Sequence, residues 1–151
     1  MPEVTIRGAE PNDHARVVAV VDDWWDGRPM AAMLPRLFFE HFGDTSFVAE
    51  NDGELAGFLC GFLSQSEAHA AYVHFVGVAP TMRGSGLART LYECFFEVAR
   101  AHGRDVVQAV TSPVNTTSVA FHRAMGFEVR EPVPGYDGPG EDRVRLTKRL
   151  T

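Results

Sequence analysis

The run AAYVHFVGVAP at residues 70–80 passes directly into TMRGSG and then into an apolar stripe at 87, 88, 91, 92, 95, 98 and 99. No other stretch constrains the fold as much. Pro80 stops an extended apolar segment, Gly84 and Gly86 supply turn conformations that other residues resist, and the stripe has helical spacing that closes at Gly103. A strand entering a helix through such a turn aims several unpaired backbone N–H groups, and the positive end of the helix dipole, at one point. That point suits an anion. Neither glycine has a side chain to hold a phosphate away, and Arg83 and Arg89 can neutralise it from the rim. The plainer reading of the same residues is a tight turn with no ligand.

Other phosphate-binding patterns fail on spacing. A P-loop needs GxxxxGK[ST], and no lysine occurs before Lys148; a dinucleotide GxGxxG needs glycine where Arg89 stands. Charge distribution favours the anion. Acids make up 20 of 151 residues, yet none falls between Ala68 and Tyr92 or between Val106 and Phe127. Buried strands exclude charge, but that does not cover the polar stretch TSPVNTTS or the glycine turn. Both windows therefore read as the lining of one anionic ligand.

The remaining pattern describes one domain over 1–151. Val4 to Arg7 reads as a strand, Asp13 to Trp25 as a helix capped near Asn12, and MAAMLPRLFFEHF as a second helix that Pro35 begins, kinks or divides. The segments SFVAE and ELAGFLCGFLSQ around Asn51-Asp52-Gly53 form a hairpin. Val106 to Thr111 is a further strand, NTTSVAFHRAM a helix capped by Asn115 or Thr116, and EDRVRLTKRL a last alternating strand. This order predicts a three-layer α/β/α sandwich around a mixed, mostly antiparallel, twisted sheet.

Composition excludes several classes. With 45% hydrophobic and 23% charged residues the chain is globular, and a net charge of −6 without basic blocks argues against nucleic acid. No stretch has the length of a membrane span and the N-terminus does not read as a secretory signal, so no membrane partner and a cytoplasmic location are expected. Cys60 and Cys94 read as reduced core residues, and the six histidines never take metal-ligand spacing, so no metal is expected.

The chain resembles the GNAT superfamily of N-acetyltransferases, which use acetyl-CoA. The superfamily's first motif follows a VxP strand end and is matched by Val78-Ala79-Pro80 and Arg83-Gly84-Ser85-Gly86-Leu87-Ala88. Its second runs from an asparagine through a short helix ending in tyrosine to a GF pair, and is matched by Asn115, His122 and Gly126-Phe127. Order and spacing agree over nearly the whole chain. The resemblance implies that amides at 83–88, with Arg89, hold the CoA diphosphate. It further implies that the backbone of Val76, Gly77 and Val78 pairs with the pantetheine arm, which Asn115, Ser118, Phe121 and Arg123 border. A splay between the strands at 76 and 108 would admit the thioester.

The resemblance also frames the chemistry. A backbone N–H near Val76 to Val78 is the expected oxyanion donor. His122 stands where the superfamily usually has a tyrosine that protonates the departing sulfur, a task an imidazolium can perform; a purely structural histidine is the alternative. His74, polar within VHFVGV, is the candidate base, with a water chain or a structural role as the other readings. The stretch DDWWDGRP supplies candidate acceptor-binding residues Trp24, Trp25, Asp26 and Arg28, although both indoles also fit a helix core, and Tyr136 in PVPGYDGPGED joins them. The expected acceptor is a primary amine of a small cationic or zwitterionic metabolite. A non-catalytic acyl-CoA sensor and an acetyltransferase for a peptide or protein amine are the competing readings, and a homodimer is left open.

Overall fold

The computed structural model describes residues 4–150, in two compact units: 4–62 with 73–98, and 63–72 with 99–150.

In the first unit, β1 (Val4–Gly8) pairs antiparallel with β2 (Phe47–Asn51), from Val4 opposite Asn51 to Gly8 opposite Phe47. A hairpin through Asp52 and Gly53, with φ of 52° and 81°, leads from β2 into β3 (Glu54–Leu63). Asp-Gly is the dipeptide that enters such a turn with least strain. β4 (Ala70–Val78) follows β3 in the sheet order.

The helical segment after β1 differs from the expected single helix over 13–25. It forms α1 (Asp13–Val18) and α2 (Val21–Trp24), broken at Val20, which has φ −121° and ψ −18°. Four valines in five positions weaken helix propensity, so burial decides the geometry: Val17, Val21 and Trp24 point into the core. Pro35 divides the next segment into a 3₁₀ turn (Ala31–Met33) and α3 (Leu37–His41), and Leu34 before it leaves helical space at φ −119°, ψ 75°. The core gathers Leu34, Phe38 and Phe39 with Val48, Phe58 and Phe75. Trp24 stacks on Phe58 with centroids 6.1 Å apart, and Phe58 on Phe75 at 5.7 Å. Each such ring contributes about 1.5–3 kcal/mol by leaving water.

The long helix α4 (Leu87–Ala101) begins in this unit on the expected apolar stripe, with Leu87, Leu91, Tyr92 and Phe95 buried. It rests on a close crossing of β3 and β4. A Cβ on Gly57 would stand 3.0 Å from the Gly77 carbonyl oxygen and 3.2–3.3 Å from Leu87 and Leu91, and one on Gly77 would collide with the Phe58 ring at 2.7 Å. Gly57 thus lets the start of α4 settle onto the strands, whereas Gly77 leaves room for the Phe58 and Trp25 rings.

In the second unit, Ala70–Tyr72 of β4 pair parallel with Val106–Gln108 of β5 (Val106–Thr111). β5 pairs antiparallel with β7 (Val144–Arg149), and β7 with the two-residue β6 (Glu128–Val129), too short to show a period in the sequence. Val107, Ala109, Val144 and Leu146 are buried on one face. Arg104 donates to the carbonyls of Ser64, Glu67 and Ala70, fixing the turn that precedes β4. The helix α5 (Thr116–Ala124) begins at Asn115, whose side-chain oxygen accepts from the Ser118 N–H at 3.1 Å. The α/β architecture with a mixed, mostly antiparallel sheet is the one the sequence predicts.

Candidate functional site

The turn at 83–86 has the geometry of an anion nest. Gly84 and Gly86 take φ of 79° and 87°, and a Cβ built on either meets nothing within 4 Å, so the space in front of both is open. The first bond of α4 runs from the Thr90 N–H to the Gly86 carbonyl at 3.0 Å. The amides of Leu87, Ala88 and Arg89 therefore lie in the first turn, where a helix offers no internal acceptor. Ser85 is exposed, its hydroxyl donating to the Met82 carbonyl at 2.5 Å. Arg83 differs from its expected rim position. Its guanidinium donates to the Trp24 carbonyl and ties the nest to the end of α2; both Arg83 and Arg89 are exposed. A diphosphate fits this arrangement through its backbone donors.

Along α5 in the second unit, Ser118 and Phe121 are half-buried and Arg123 is exposed. His122 is buried, with its ring edge-on to Phe121 at 5.4 Å and Phe127 at 5.0 Å. Its Nδ1 lies 2.7 Å from the Ser118 carbonyl oxygen, which can only accept, so Nδ1 carries the proton. Burial holds the His122 pKa below the ordinary 6.5, against the opposing pull of that carbonyl. The resting ring is neutral near pH 7.

His74 donates from Nε2 to the Met33 carbonyl at 2.5 Å and stacks on Phe38 with centroids 4.7 Å apart. It fastens the 3₁₀ turn to β4, leaving Nδ1 to accept a proton. Val76 and Val78 are half-buried, and Gly77 between them lies under the rings of Phe58 and Trp25.

Of the candidate acceptor residues in DDWWDGRP, Trp24 is 8% exposed and belongs to the core, and Trp25 is half-buried against Phe75. Asp22 braces the following loop by accepting from the Met30 and Ala31 amides at 2.8 and 2.9 Å. Asp26 and Arg28 are exposed. Tyr136 borders a cavity in the second unit together with Tyr72, Gln108, Arg130 and Arg145, none of which the sequence reading selects. The alternation of β5 and β7, combined with their register, is the signal that would have placed Gln108 and Arg145 on one face.

Cysteine chemistry is disfavoured here. Burial pushes the Cys60 thiol up to about 12 and raises Cys94, with Glu97 and Glu93 adding to the latter. Neither is a thiolate at neutral pH. Among the described residues no group of three or more His, Cys, Asp or Glu could hold a metal ion, and no helix is long and apolar enough to cross a membrane.

Comparison with known proteins bears on the family and the fold. The L-2,4-diaminobutyric acid acetyltransferase of Nocardia farcinica is 33% identical over 89 residues, covering 59% of this chain and 46% of that protein. The L-methionine sulfoximine/L-methionine sulfone acetyltransferase of Pseudomonas aeruginosa is 25% identical over 143 residues, 86% of this chain and 83% of that protein. The chain spans about half the length of the curated relatives it matches first. A crystal structure of diaminobutyrate acetyltransferase from Paenibacillus lautus, in complex with L-2,4-diaminobutyric acid and coenzyme A, superposes with a TM-score of 0.77. It covers 97% of this chain and 95% of that one at 22% identity, a likeness of fold. The family model for the acetyltransferase (GNAT) family matches residues 14–127, which includes the nest and α5, and the chain belongs to that family.

Proposed function

We propose that this chain is an acetyl-CoA-dependent N-acetyltransferase, acting as one catalytic domain, that moves an acetyl group directly to a primary amine of a small cationic or zwitterionic metabolite. The observation that carries the reading is the nest at the start of α4: two left-handed glycines with open space before them and the amides of a helix's first turn. Family membership supports the reaction, and the relatives named above act on small amino compounds. The raised thiols support direct transfer over an acetyl-cysteine route.

Bound acetyl-CoA supplies an activated acetyl thioester. The chain's own residues do the rest in this reading. Amides of the nest and Arg89 receive the negative charge of the diphosphate. Backbone groups of Val76 to Val78 align the pantetheine arm, and an N–H among them donates to the charge that develops on the carbonyl oxygen, a contribution of about 3 kcal/mol in a dry site. Asn115, Ser118, Phe121 and Arg123 border the same arm. His74 Nδ1 accepts the proton of the attacking amine. The imidazolium form of His122, protonated at Nε2 as well as at Nδ1, gives its Nε2 proton to the departing sulfur. Burial makes its imidazolium a stronger acid than free histidine, so transfer to a thiolate of ordinary pKa, about 8.5, is downhill.

Release of free thiol from acetyl-CoA, followed across a panel of primary amines, tests this directly. Thiol release that depends on one class of amine is the expected result. Acetyl-CoA binding without thiol release on any amine would overturn transfer in favour of a sensor.

A further inference from the structure

The second unit holds a cavity of about 330 Å³ on the polar face of the β4–β5–β7 ladder. Register builds it. Tyr72 lies opposite Gln108, and two residues further along β5, Val110 lies opposite Arg145. On the other side of Arg145 stands Arg130, whose backbone N–H donates to the Arg145 carbonyl at 3.0 Å. All of these border the cavity, as do Tyr136 and Glu67.

Two guanidinium side chains next to each other across a ladder repel, so their placement requires a reason. Nearby Arg143 is neutralised by Asp137 at 2.8 Å and Glu141 at 3.0 Å. Among the described residues no carboxylate is paired with Arg130 or Arg145. The other groups at the cavity are also donors. Burial, then Tyr136 and Asp137, push the Tyr72 phenol up to about 12, so it keeps its proton, and Gln108 adds an amide. Glu67 is the acid among the lining residues.

We propose that this cavity recognises the carboxylate of an amino-acid acceptor, with Arg130 and Arg145 as the carboxylate clamp, Tyr72 and Gln108 as neutral donors, and Glu67 as counter-charge for a second ammonium. The step rests on the acetyl-transfer reading and narrows its substrate class from small cationic or zwitterionic amines to amines that carry a carboxylate. A volume of this size matches the lower range of small-molecule sites.

Calorimetric titration with the common L-amino acids, L-2,4-diaminobutyric acid and its α-carboxamide tests the assignment. At least one amino acid binds the wild type, and its affinity falls about tenfold in Arg145→Gln and further in Arg130→Gln/Arg145→Gln. Arg145→Lys recovers part of the loss, and preference for the acid over its carboxamide collapses in the double variant. In turnover, KM for the acid rises far more than kcat falls. Both arginine side chains are exposed, so the variants fold, and circular dichroism melts confirm it. Unchanged affinity in both variants, equal binding of acid and carboxamide, no binding by any amino acid, or equal displacement by inorganic phosphate would each overturn the proposal. Amino acids that bind through both arginines without thiol release would sink acetyl transfer alone. Acetylation blind to the carboxylate and to both arginines would sink the cavity's role alone.

Discussion

His122 is neutral at rest because its ring is buried between Phe121 and Phe127, which outweighs the opposing pull of the Ser118 carbonyl on its Nδ1–H. Two predictions follow from the sign of that shift. The unfolded chain takes up a proton near pH 6.5 that the folded chain resists, so this residue's contribution to stability is full above that value and is lost as pH falls through the lowered folded pKa. Thermal melts from pH 8 to pH 5 therefore show a steeper loss of Tm for the wild type than for His122→Phe; parallel curves would contradict the assignment. In turnover, His122→Phe lowers kcat with little change in coenzyme affinity. The deficit narrows as pH rises from 6 to 9, because less imidazolium is present to be missed, and a pH-independent deficit would remove the acid role. The position of His122 is legible in the sequence from Asn115 and Gly126-Phe127, whereas its protonation is not, since burial comes from Phe127 folding back after the helix. The adjacent indoles show the same limit. Residues 17, 21 and 24 trace one helical face that claims Trp24 for the core, but valines at 18 and 20 blur that face in the sequence.

The nest depends on how α4 is seated, and Gly57 in the strand beneath leaves room for its Leu87 and Leu91, while Gly77 leaves room for the aromatic core of the same unit. Gly77→Ala drives a Cβ into the Phe58 ring, which is held by Trp24 and Phe75 and has no free direction to move. We expect about 1–3 kcal/mol of lost stability, read by urea unfolding; a neutral change would mean that the crossing is looser than described. Gly86→Ala has room for its methyl group but must hold a left-handed φ, at about 1–2 kcal/mol. The amides relax away from their aim instead, and acetyl-CoA affinity falls about tenfold while the melting temperature barely moves. At this scale the sequence was most informative, because strand, turn and helix each carry their own period or punctuation. It failed where local and tertiary preferences conflict, at the valine-rich break between α1 and α2. It failed also at β6, where pairing with β7 and not composition makes two residues a strand.

Across the molecule, the net charge of −6 is offset locally where it matters for folding. Asp13 is 3% exposed, with Arg7 at 2.8 and 2.9 Å, Arg16 at 3.2 Å and the Glu10 amide at 2.8 Å, and Glu50 bridges the same two arginines. Burial alone would raise the Asp13 pKa, but these partners together hold it below the ordinary carboxylate range, and the arginines do the same for Glu50. The stability they provide is present above about pH 4 and is lost as pH falls through the lowered values. Asp13→Ala removes the buried partner of two arginines that are part-exposed and keep Glu50, and costs about 1–2 kcal/mol at pH 7. Urea unfolding at pH 7 and pH 3 checks both points, and the gap between wild type and variant closes at the lower pH. The network joins β1, α1 and β2; Asp13 and Arg16 have helical i,i+3 spacing, but Glu50 lies 34 residues beyond Arg16, and spacing does not reveal that link. The central claim, that backbone amides at the start of α4 grip a diphosphate, is tested most directly by calorimetric titration of the wild type with coenzyme A and with pantetheine, which lacks that group. The account predicts clear binding of coenzyme A, at least tenfold weaker binding of pantetheine, and a smaller difference between them in Gly86→Ala. Equal affinities for the two ligands would contradict it.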